Sequence, residues 1–392
     1  MDLRRQLDDL LRQALDPGRQ ASCAALSEPV DIVIPIYDAY DDVGRCVESV
    51  LRHSESPYVL HLINDGSTDT RMRPYLDSLA RNAKSEHLAR LDVIHHECNL
   101  GFIKTVNRGM SASDRHVILL NSDTIVPRGW IGRLMDPILR DPGVASVSPF
   151  SNNAWICSFP TWTEEHPMPE HLSVTEADEI MRRYGSLEPI ELPTTIGFCM
   201  ALNRGVLRQI GLFDEEHYGA GYCEEGDWCF RAKTAGYRNV LAPNMYVYHK
   251  LGASFDTRRD RSRDERIEEN LVKWSARYPE LFAGIQVFLD EDPVYPIRTV
   301  LRSAFEARNR ADKANVLLID PNLQAGSCPI DPPADDGGRH YRLERSGERL
   351  YLTDPHIDGG IVYTIPADRF GQAELESLMA MLQIRAVRRL PL

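Results

Sequence analysis

The chain has 392 residues, of which 43% are hydrophobic and 26% charged; that length allows about two or three domains, and that balance excludes a fibrous or disordered chain. A formal charge of -13 disfavours a nucleic-acid backbone as the main partner, although a local basic cluster stands at Arg258–Arg266. No apolar run approaches the roughly 20 residues that span a bilayer, the start MDLRRQLDDLL is amphipathic rather than a signal peptide, and eight scattered cysteines never form CxxC, which disfavours a zinc site and suits reduced thiols in the cytosol.

Leu3, Leu7, Leu10, Leu11 and Leu15 recur at helical spacing, so residues 1–29 are expected to hold a leading helix. A domain over 30–285 opens with the apolar strand Val30–Pro35, followed by Tyr37-Asp38 and a helix over Asp42–His53. The strand Val59–Ile63 runs into Asn64-Asp65-Gly66-Ser67-Thr68-Asp69. This loop combines a carboxylate, a permissive glycine and backbone N–H groups, which suits ribose, base or phosphate contacts and equally suits a plain turn. The strand Leu91–His96 leads to Asn99-Leu100-Gly101-Phe102 and a helix with Lys104 and Asn107 one turn apart. Then comes Val117–Leu120, an apolar run that breaks into Asn121-Ser122-Asp123. The alternation predicts an α/β fold with a doubly wound, mostly parallel, Rossmann-like sheet. Ligands of such sheets sit beyond the carboxyl ends of the strands, where Asp38, Asp65 and Asp123 fall. Asp123 beside a hydroxyl and an amide suits a divalent cation carrying a diphosphate; the same residue types also cap helices.

A strand is expected at Val144–Pro149, and residues 160–193, with one helix near Val174–Tyr184, read as an insertion over the sheet. Thr194–Leu202 reads as a strand whose Gly197 admits a close approach, and Asn203–Ile210 as a short helix. Glu224, Glu225 and Asp227 open a helix that continues through Ala235. Acids in a first turn are favoured by the helix dipole, and a carboxylate held beside Trp228 in a half-buried cleft can also act as general base. Val247-Tyr248-His249 closes a strand with an imidazole that could share a metal with Asp123. Arg263–Tyr278 reads as a helix, 286–312 as a linker with a proline-flanked connector at Asp290–Ile297, and 313–392 as a small α/β module. That module is expected to hold a strand at Val316–Asp320, a turn at Gln324-Ala325-Gly326, a hairpin over Tyr341–Thr353 and a helix at Gln372–Leu382.

Ile32–Tyr37, Asn64–Asp69, Asn99–Phe102, Leu120–Asp123, Ser151-Asn152-Asn153, Thr195–Met200, Glu224–Arg231 and Tyr248-His249-Lys250, in that order, resemble the family 2 inverting glycosyltransferases of GT-A fold. The likeness covers about residues 30–256 and is nearest to bacterial members that build O-antigen, capsule or similar polysaccharides, often as one module of a larger transferase. It implies a nucleoside-diphosphate sugar donor, a glycan or lipid-linked glycan acceptor, and Mn²⁺ or Mg²⁺ held by Asp123 and His249. Pro35, Tyr37, Asp65, Asn99, Gly101, Lys104, Asn107, Asn121, Ser122 and Asp123 would line the donor side. Asn121 stands where the family's first aspartate is usual, leaving the site one charge less negative. Glu225 matches the catalytic base, with Glu224 and Asp227 as neighbouring candidates, and a Ser254-Phe255 loop with Arg258 and Arg259 would fold over the diphosphate. Trp155, Trp228 and Gly197 are candidates for the acceptor side, although tryptophans serve equally as core.

The resemblance further implies a cytoplasmic hexosyl- or deoxyhexosyl-transferase, with peripheral contact at the inner membrane face and with other transferase modules left open. The C-terminal module resembles the opening strands of a truncated GT-B half. Two rivals stand beside this reading. A sugar-nucleotide pyrophosphorylase would want a glycine-rich basic loop after the first strand, where Tyr37–Gly44 is acidic. A non-catalytic sugar or nucleotide-sugar binding module of an assembly complex would not need the acids at 123, 225 and 227.

Overall fold

The computed structural model describes residues 26–162, 166–168, 172–250, 261–309, 315–319, 340–346, 349–353, 361–366, 372–382 and 384–389. The leading helix, the turn at 324–326 and the Ser254-Phe255, Arg258 and Arg259 segment lie outside these residues. In chain order the elements are β1 Val30–Ile36, α1 Tyr40–His53, β2 Tyr58–Asn64, α2 Met72–Asn82, β3 Leu88–His95, α3 Phe102–Met110, β4 Val117–Leu120, β5 Thr124–Ile125 and α4 Trp130–Arg140. They continue with β6 Val144–Phe150, α5 Val174–Tyr184, β7 Ile190–Leu192, β8 Cys199–Leu202, α6 Arg204–Ile210, α7 Glu215–Tyr218, α8 Glu224–Thr234, β9 Arg238–Tyr246 and β10 Tyr248–His249. The remainder is α9 Arg261–Arg277, α10 Pro279–Glu291, α11 Tyr295–Asn309, β11 Asn315–Ile319, β12 His340–Ser346, β13 Arg349–Thr353, β14 Ile361–Pro366, α12 Gln372–Met381 and β15 Ile384–Arg389.

The chain divides into two compact units, one of residues 22–168 with 188–292, the other of 1–21, 169–187 and 293–392. The first is built on an eight-stranded sheet of order β3-β2-β1-β4-β8-β6-β9-β7. The β3, β2, β1 and β4 strands run parallel, β8 is antiparallel to both β4 and β6, and β9 is parallel to β6. This is the doubly wound, mostly parallel α/β architecture expected from the sequence. Its central strands are predominantly apolar because both faces are covered: every residue of β2, β4 and β6 is buried, and the few polar ones, such as His61 and Ser146, are hydrogen-bonded. Chain order reverses about β1, so β2 lies on one side of it and β4 on the other. The crevice beyond β1 and β4 is therefore where such sheets take ligands.

The strand expected over Thr194–Leu202 begins only at Cys199. Upstream the backbone is satisfied by side chains rather than a ladder: Thr195 N–H donates to Cys229 Sγ at 3.4 Å, and Ile196 N–H donates to Ser148 Oγ at 3.1 Å.

In the second unit, β11 runs parallel to β12 and β15, while β12, β13 and β14 form an antiparallel meander. The helix near Val174–Tyr184, read as an insertion over the sheet, belongs instead to this unit and packs on α11. Ser173 and Glu176 form its capping box. The stretch expected as a linker over 286–312 is largely helical, running through α10 and α11. Pro296 misleads because it stands in the first turn of α11, where a missing N–H costs nothing. Among the described residues no helix is long and apolar enough to cross a membrane.

Candidate functional site

Asp38, Asp65 and Asp123 follow β1, β2 and β4, three parallel neighbours, and so share one edge of the sheet. The first two are fasteners. Asp38, held in the left-handed region at φ 52°, accepts from the backbone N–H groups of Thr68 and Asp69 and from the Thr68 hydroxyl. Buried Asp65 accepts from Leu100 N–H at 2.9 Å, Gly101 N–H at 2.9 Å and His96 Nδ1 at 2.8 Å. Three of its roughly four acceptor positions are thus turned inward, and it sets the loop that carries Asn99 and Gly101. Asn99 accepts from Gly101 N–H at 3.0 Å. Gly101 takes φ 90°, and a Cβ there would come within 3.0 Å of Ala220 Cα. Pro35 and Tyr37 are half-buried at the same edge, and Lys104 is exposed on α3. Asn107, expected to line the donor side with Lys104, is engaged elsewhere: its amide donates to Phe213 O at 2.9 Å and accepts from Phe213 N–H at 3.2 Å.

Asp123 and His249 meet. The two-residue strands β5 and β10 pair antiparallel, with His249 opposite Thr124, and this brings His249 Nε2 to 3.3 Å from Asp123 Oδ1. Asn121 Nδ2 stands 3.4 Å from the same ring nitrogen, and Ser122 is buried between them in sequence. The other ring nitrogen, Nδ1, lies 2.7 Å from Asn153 O and must carry its proton toward that carbonyl. With that proton on Nδ1, Nε2 faces the Asp123 carboxylate, an approach that becomes favourable when a cation lies between them. The donor set, one hard oxygen and one imidazole nitrogen oriented by a carbonyl behind it, fits Mn²⁺ or Mg²⁺. Among the described residues no group of three or more His, Cys, Asp or Glu side chains is arranged for a metal, so the protein's share would be small and phosphate or water would supply the rest. Cys46 lies nearby, its Sγ 3.5 Å from Asn121 O, and burial foremost, with the Asp123 charge adding, pushes its thiol up to about 12.

The sequence motifs carried His249's supports without marking their role. Asn152 accepts from His249 N–H at 2.9 Å and donates to His249 O at 2.9 Å, while Asn153 Nδ2 also donates to that carbonyl at 3.2 Å. Phe198 stacks on the imidazole, with centroids 5.2 Å apart. Consecutive amides after an apolar strand were the available signal, because buried amides require partners.

The acids that open α8 separate into a pair and a strut. Glu224 is buried, its Oε2 has no hydrogen-bond partner, and its carboxyl is pushed well up by burial first and by the charge of Glu225 next. Burial also raises Glu225, against the opposing effect of backbone N–H groups that include those of Gly197 and Gly226. Its Oε2 likewise has no partner. Asp227, grouped with them from sequence, is fully buried and satisfied by Arg231 Nε at 2.8 Å, Arg277 at 3.0 Å, Tyr278 Oη at 3.0 Å and Tyr218 Oη at 3.3 Å. It ties helices together and is not available as a base.

Gly197 lies against Glu225, where an added Cβ would stand 3.9 Å from that side chain. The next residue is Phe198, which packs on His249. Two adjacent residues therefore connect the acidic pair to the Asp123–His249 couple. Of the tryptophans, Trp228 is fully buried and donates its indole N–H to Gly211 O at 2.9 Å, so it is core and cannot stack on a ligand. Trp155 is 37% exposed and held at φ 46° two residues beyond Asn153.

An uncharacterized glycosyltransferase of Haemophilus influenzae is 22% identical to this chain over 122 residues, 31% of this chain and 36% of the relative. The glycosyltransferase GlyG of Streptococcus pneumoniae serotype 4 is 28% identical over 114 residues, 29% of this chain and 36% of the relative. The chain thus spans about a third of the length of these curated relatives. Among solved structures, the mannosyltransferase PcManGT of Pyrobaculum calidifontis, in complex with GDP-Man and Mn²⁺, is 15% identical, with a TM-score of 0.44 and coverage of 78% of this chain and 83% of that one. Residues 31–211, from β1 through α6, match the family model described as glycosyl transferase family 2.

Proposed function

We propose that this chain transfers a hexosyl or deoxyhexosyl group from a nucleoside-diphosphate donor to a hydroxyl of a glycan acceptor, with inversion at the anomeric carbon. The observation that carries the reading is the Gly197-Phe198 link, which sets Glu225 and the Asp123–His249 couple on either side of two adjacent residues. Asp123 and His249 would hold Mn²⁺ or Mg²⁺, which supplies positive charge to the departing diphosphate. Asn121 and Ser122 lie on the donor side beside them.

Glu225 takes the proton of the acceptor hydroxyl as that oxygen bonds to the anomeric carbon and the bond to the diphosphate oxygen breaks. One displacement through an oxocarbenium-like state inverts the centre. A carboxyl raised by burial is a stronger base than an exposed one, which suits proton abstraction near neutral pH. Glu224, buried beside it, keeps the pair from losing both protons easily. Trp155 offers its exposed face to a sugar ring of the acceptor.

The resemblance extends this reading to bacterial surface polysaccharide synthesis with a lipid-linked acceptor. The test incubates the protein with Mn²⁺ or Mg²⁺, a panel of nucleotide sugars and glycan acceptors, and measures nucleoside diphosphate release. Acceptor-dependent release that Glu225→Gln abolishes supports transfer. Tight sugar binding without turnover would instead make the chain a binding module.

A further inference from the structure

The loop that delivers Glu224 and Glu225 departs from ordinary backbone geometry. Gly219, Gly221, Tyr222 and Cys223 all take positive φ, at 64°, 140°, 77° and 70°, and the last two bear side chains. Such a run persists only where its surroundings over-determine it. Cys223, at the N-cap of α8, makes no side-chain capping bond, so the restraint comes from elsewhere.

It comes from α9. Asn270, only 4% exposed, directs its Nδ2 into three backbone carbonyls of this loop: Gly221 O at 2.9 Å, Tyr218 O at 3.1 Å and Tyr222 O at 3.2 Å. Lys273 Nζ donates to the amide's other end, Oδ1, at 3.1 Å, which agrees with that orientation of the group. One turn on, the indole of Trp274 packs so closely on Gly226 that any Cβ there would overlap it, which seats α9 against the first turn of α8. From the other side Phe102 N–H, at the start of α3, donates to Ala220 O at 3.0 Å. The loop is therefore clamped between Asn270 and the Asn99–Phe102 segment that Asp65 fastens.

We propose that Asn270 is a positioning residue for the Glu224–Glu225 pair: it touches no reacting atom, and by gathering three carbonyls of the preceding loop it fixes where Glu225 meets the acceptor hydroxyl. The proposal rests on Glu225 acting as the base. Neither Asn270 nor α9 falls within the matched stretch 31–211.

The decisive variants are Asn270→Asp, nearly isosteric but setting carboxylate oxygens against three carbonyls, and Asn270→Ser, which removes the donor pair without adding charge. Three quantities are read on each folded variant: nucleoside diphosphate release from UDP- and GDP-sugars, affinity for UDP and GDP with Mn²⁺, and amide hydrogen exchange of peptides covering 215–230. We expect kcat to fall roughly tenfold to a hundredfold, as small misplacements of a catalytic group do. Nucleotide affinity should stay within about twofold, and exchange should quicken in 218–226 alone. Wild-type exchange in 218–226, or a fall in nucleotide affinity that matches the fall in kcat with faster exchange throughout the domain, would overturn it. Should the wild type turn over no donor, the base reading fails by itself, while the exchange data still decide whether Asn270 holds the loop.

Discussion

Phe198 lies nearly flat on the imidazole of His249, its plane 21° from that ring. The contact matters because Phe198 follows Gly197, the residue against Glu225, so the backbone between them sets the span from one candidate site group to the other. A site fixed in this way makes separable demands on each of its parts.

The couple of Asp123 and His249 should govern nucleotide binding through a cation. Asp123→Ala is expected to weaken binding of UDP or GDP in the presence of Mn²⁺ by roughly tenfold or more, since even losing an outer partner of a metal ligand commonly costs that much. A chelator should weaken the wild type similarly and leave the variant unchanged. Calorimetric titration with and without chelator reads this directly, and wild-type affinity indifferent to the chelator would refute the shared-cation reading.

Asn152 should matter for stability as well as for the cation. It is the acceptor for His249 N–H and a donor to His249 O, both in a buried setting. Asn152→Ala leaves that N–H without its partner, a loss of about 1–3 kcal/mol. Thermal unfolding should show the lowered midpoint, and Mn²⁺ affinity should fall in the same variant because the imidazole is no longer anchored through its backbone. A variant with unchanged midpoint and unchanged Mn²⁺ affinity would count against the anchor.

Glu224 gives a prediction whose sign follows from burial. Its carboxyl is held above the ordinary 4.5, first by desolvation and then by the neighbouring Glu225 charge. From about 4.5 up to its folded value the native state keeps a proton that the unfolded chain has released, so stability falls as pH rises through that window. Glutamine cannot ionise. Glu224→Gln should therefore gain on the wild type as pH rises and lose the advantage below about pH 4.5, each kcal/mol of gain appearing as roughly 2–4 °C in Tm. Unfolding curves collected between about pH 4 and about pH 8 test it; parallel curves for the two proteins would mean that Glu224 ionises in the fold as it does in the open chain.

Local pattern made the strands and most helices legible. Val117–Leu120 stands out because a strand covered on both faces must be apolar throughout, and the polar Asn121-Ser122-Asp123 that follows marks its end. Ser173 with Glu176 marks the start of α5 by the same local logic. What the sequence left hidden is settled by groups distant along the chain. Glu225 and Asp227 are both first-turn acids of one helix, and partners that include Arg277 and Tyr278, 50 and 51 positions on, distinguish the strut from the candidate base. Asn107 is drawn to Phe213, 106 positions away, and Asn152 to His249, 97 away. An amide's neighbours cannot be read from spacing, because hydrogen bonds of side chain to backbone follow tertiary placement rather than period. Asp123 and His249 could be paired from the sequence as candidate ligands of one metal, but not the way they meet, since β5 and β10 are two residues each and their antiparallel pairing leaves no periodic pattern.

The two tryptophans should divide binding from folding. Trp228, on α8, is fully buried in the core cluster that includes Phe230, Val106 and Tyr218, and its indole satisfies Gly211 O. Trp228→Ala should cost about 3–5 kcal/mol of stability, the usual loss for a large core aromatic, and any loss of activity should follow the unfolded fraction. Trp155 presents more than a third of its surface to solvent, on the segment whose Asn153 holds the His249 ring. Trp155→Ala should leave stability within about 0.5 kcal/mol and raise the acceptor KM about two- to tenfold, the equivalent of one lost ring contact of about 0.5–1.5 kcal/mol. Donor affinity should not change. Steady-state kinetics with acceptor and donor varied separately, beside an unfolding curve for each protein, reads both variants at once. An unaltered acceptor KM in Trp155→Ala would remove that residue from the acceptor side, and wild-type stability in Trp228→Ala would contradict its place in the core.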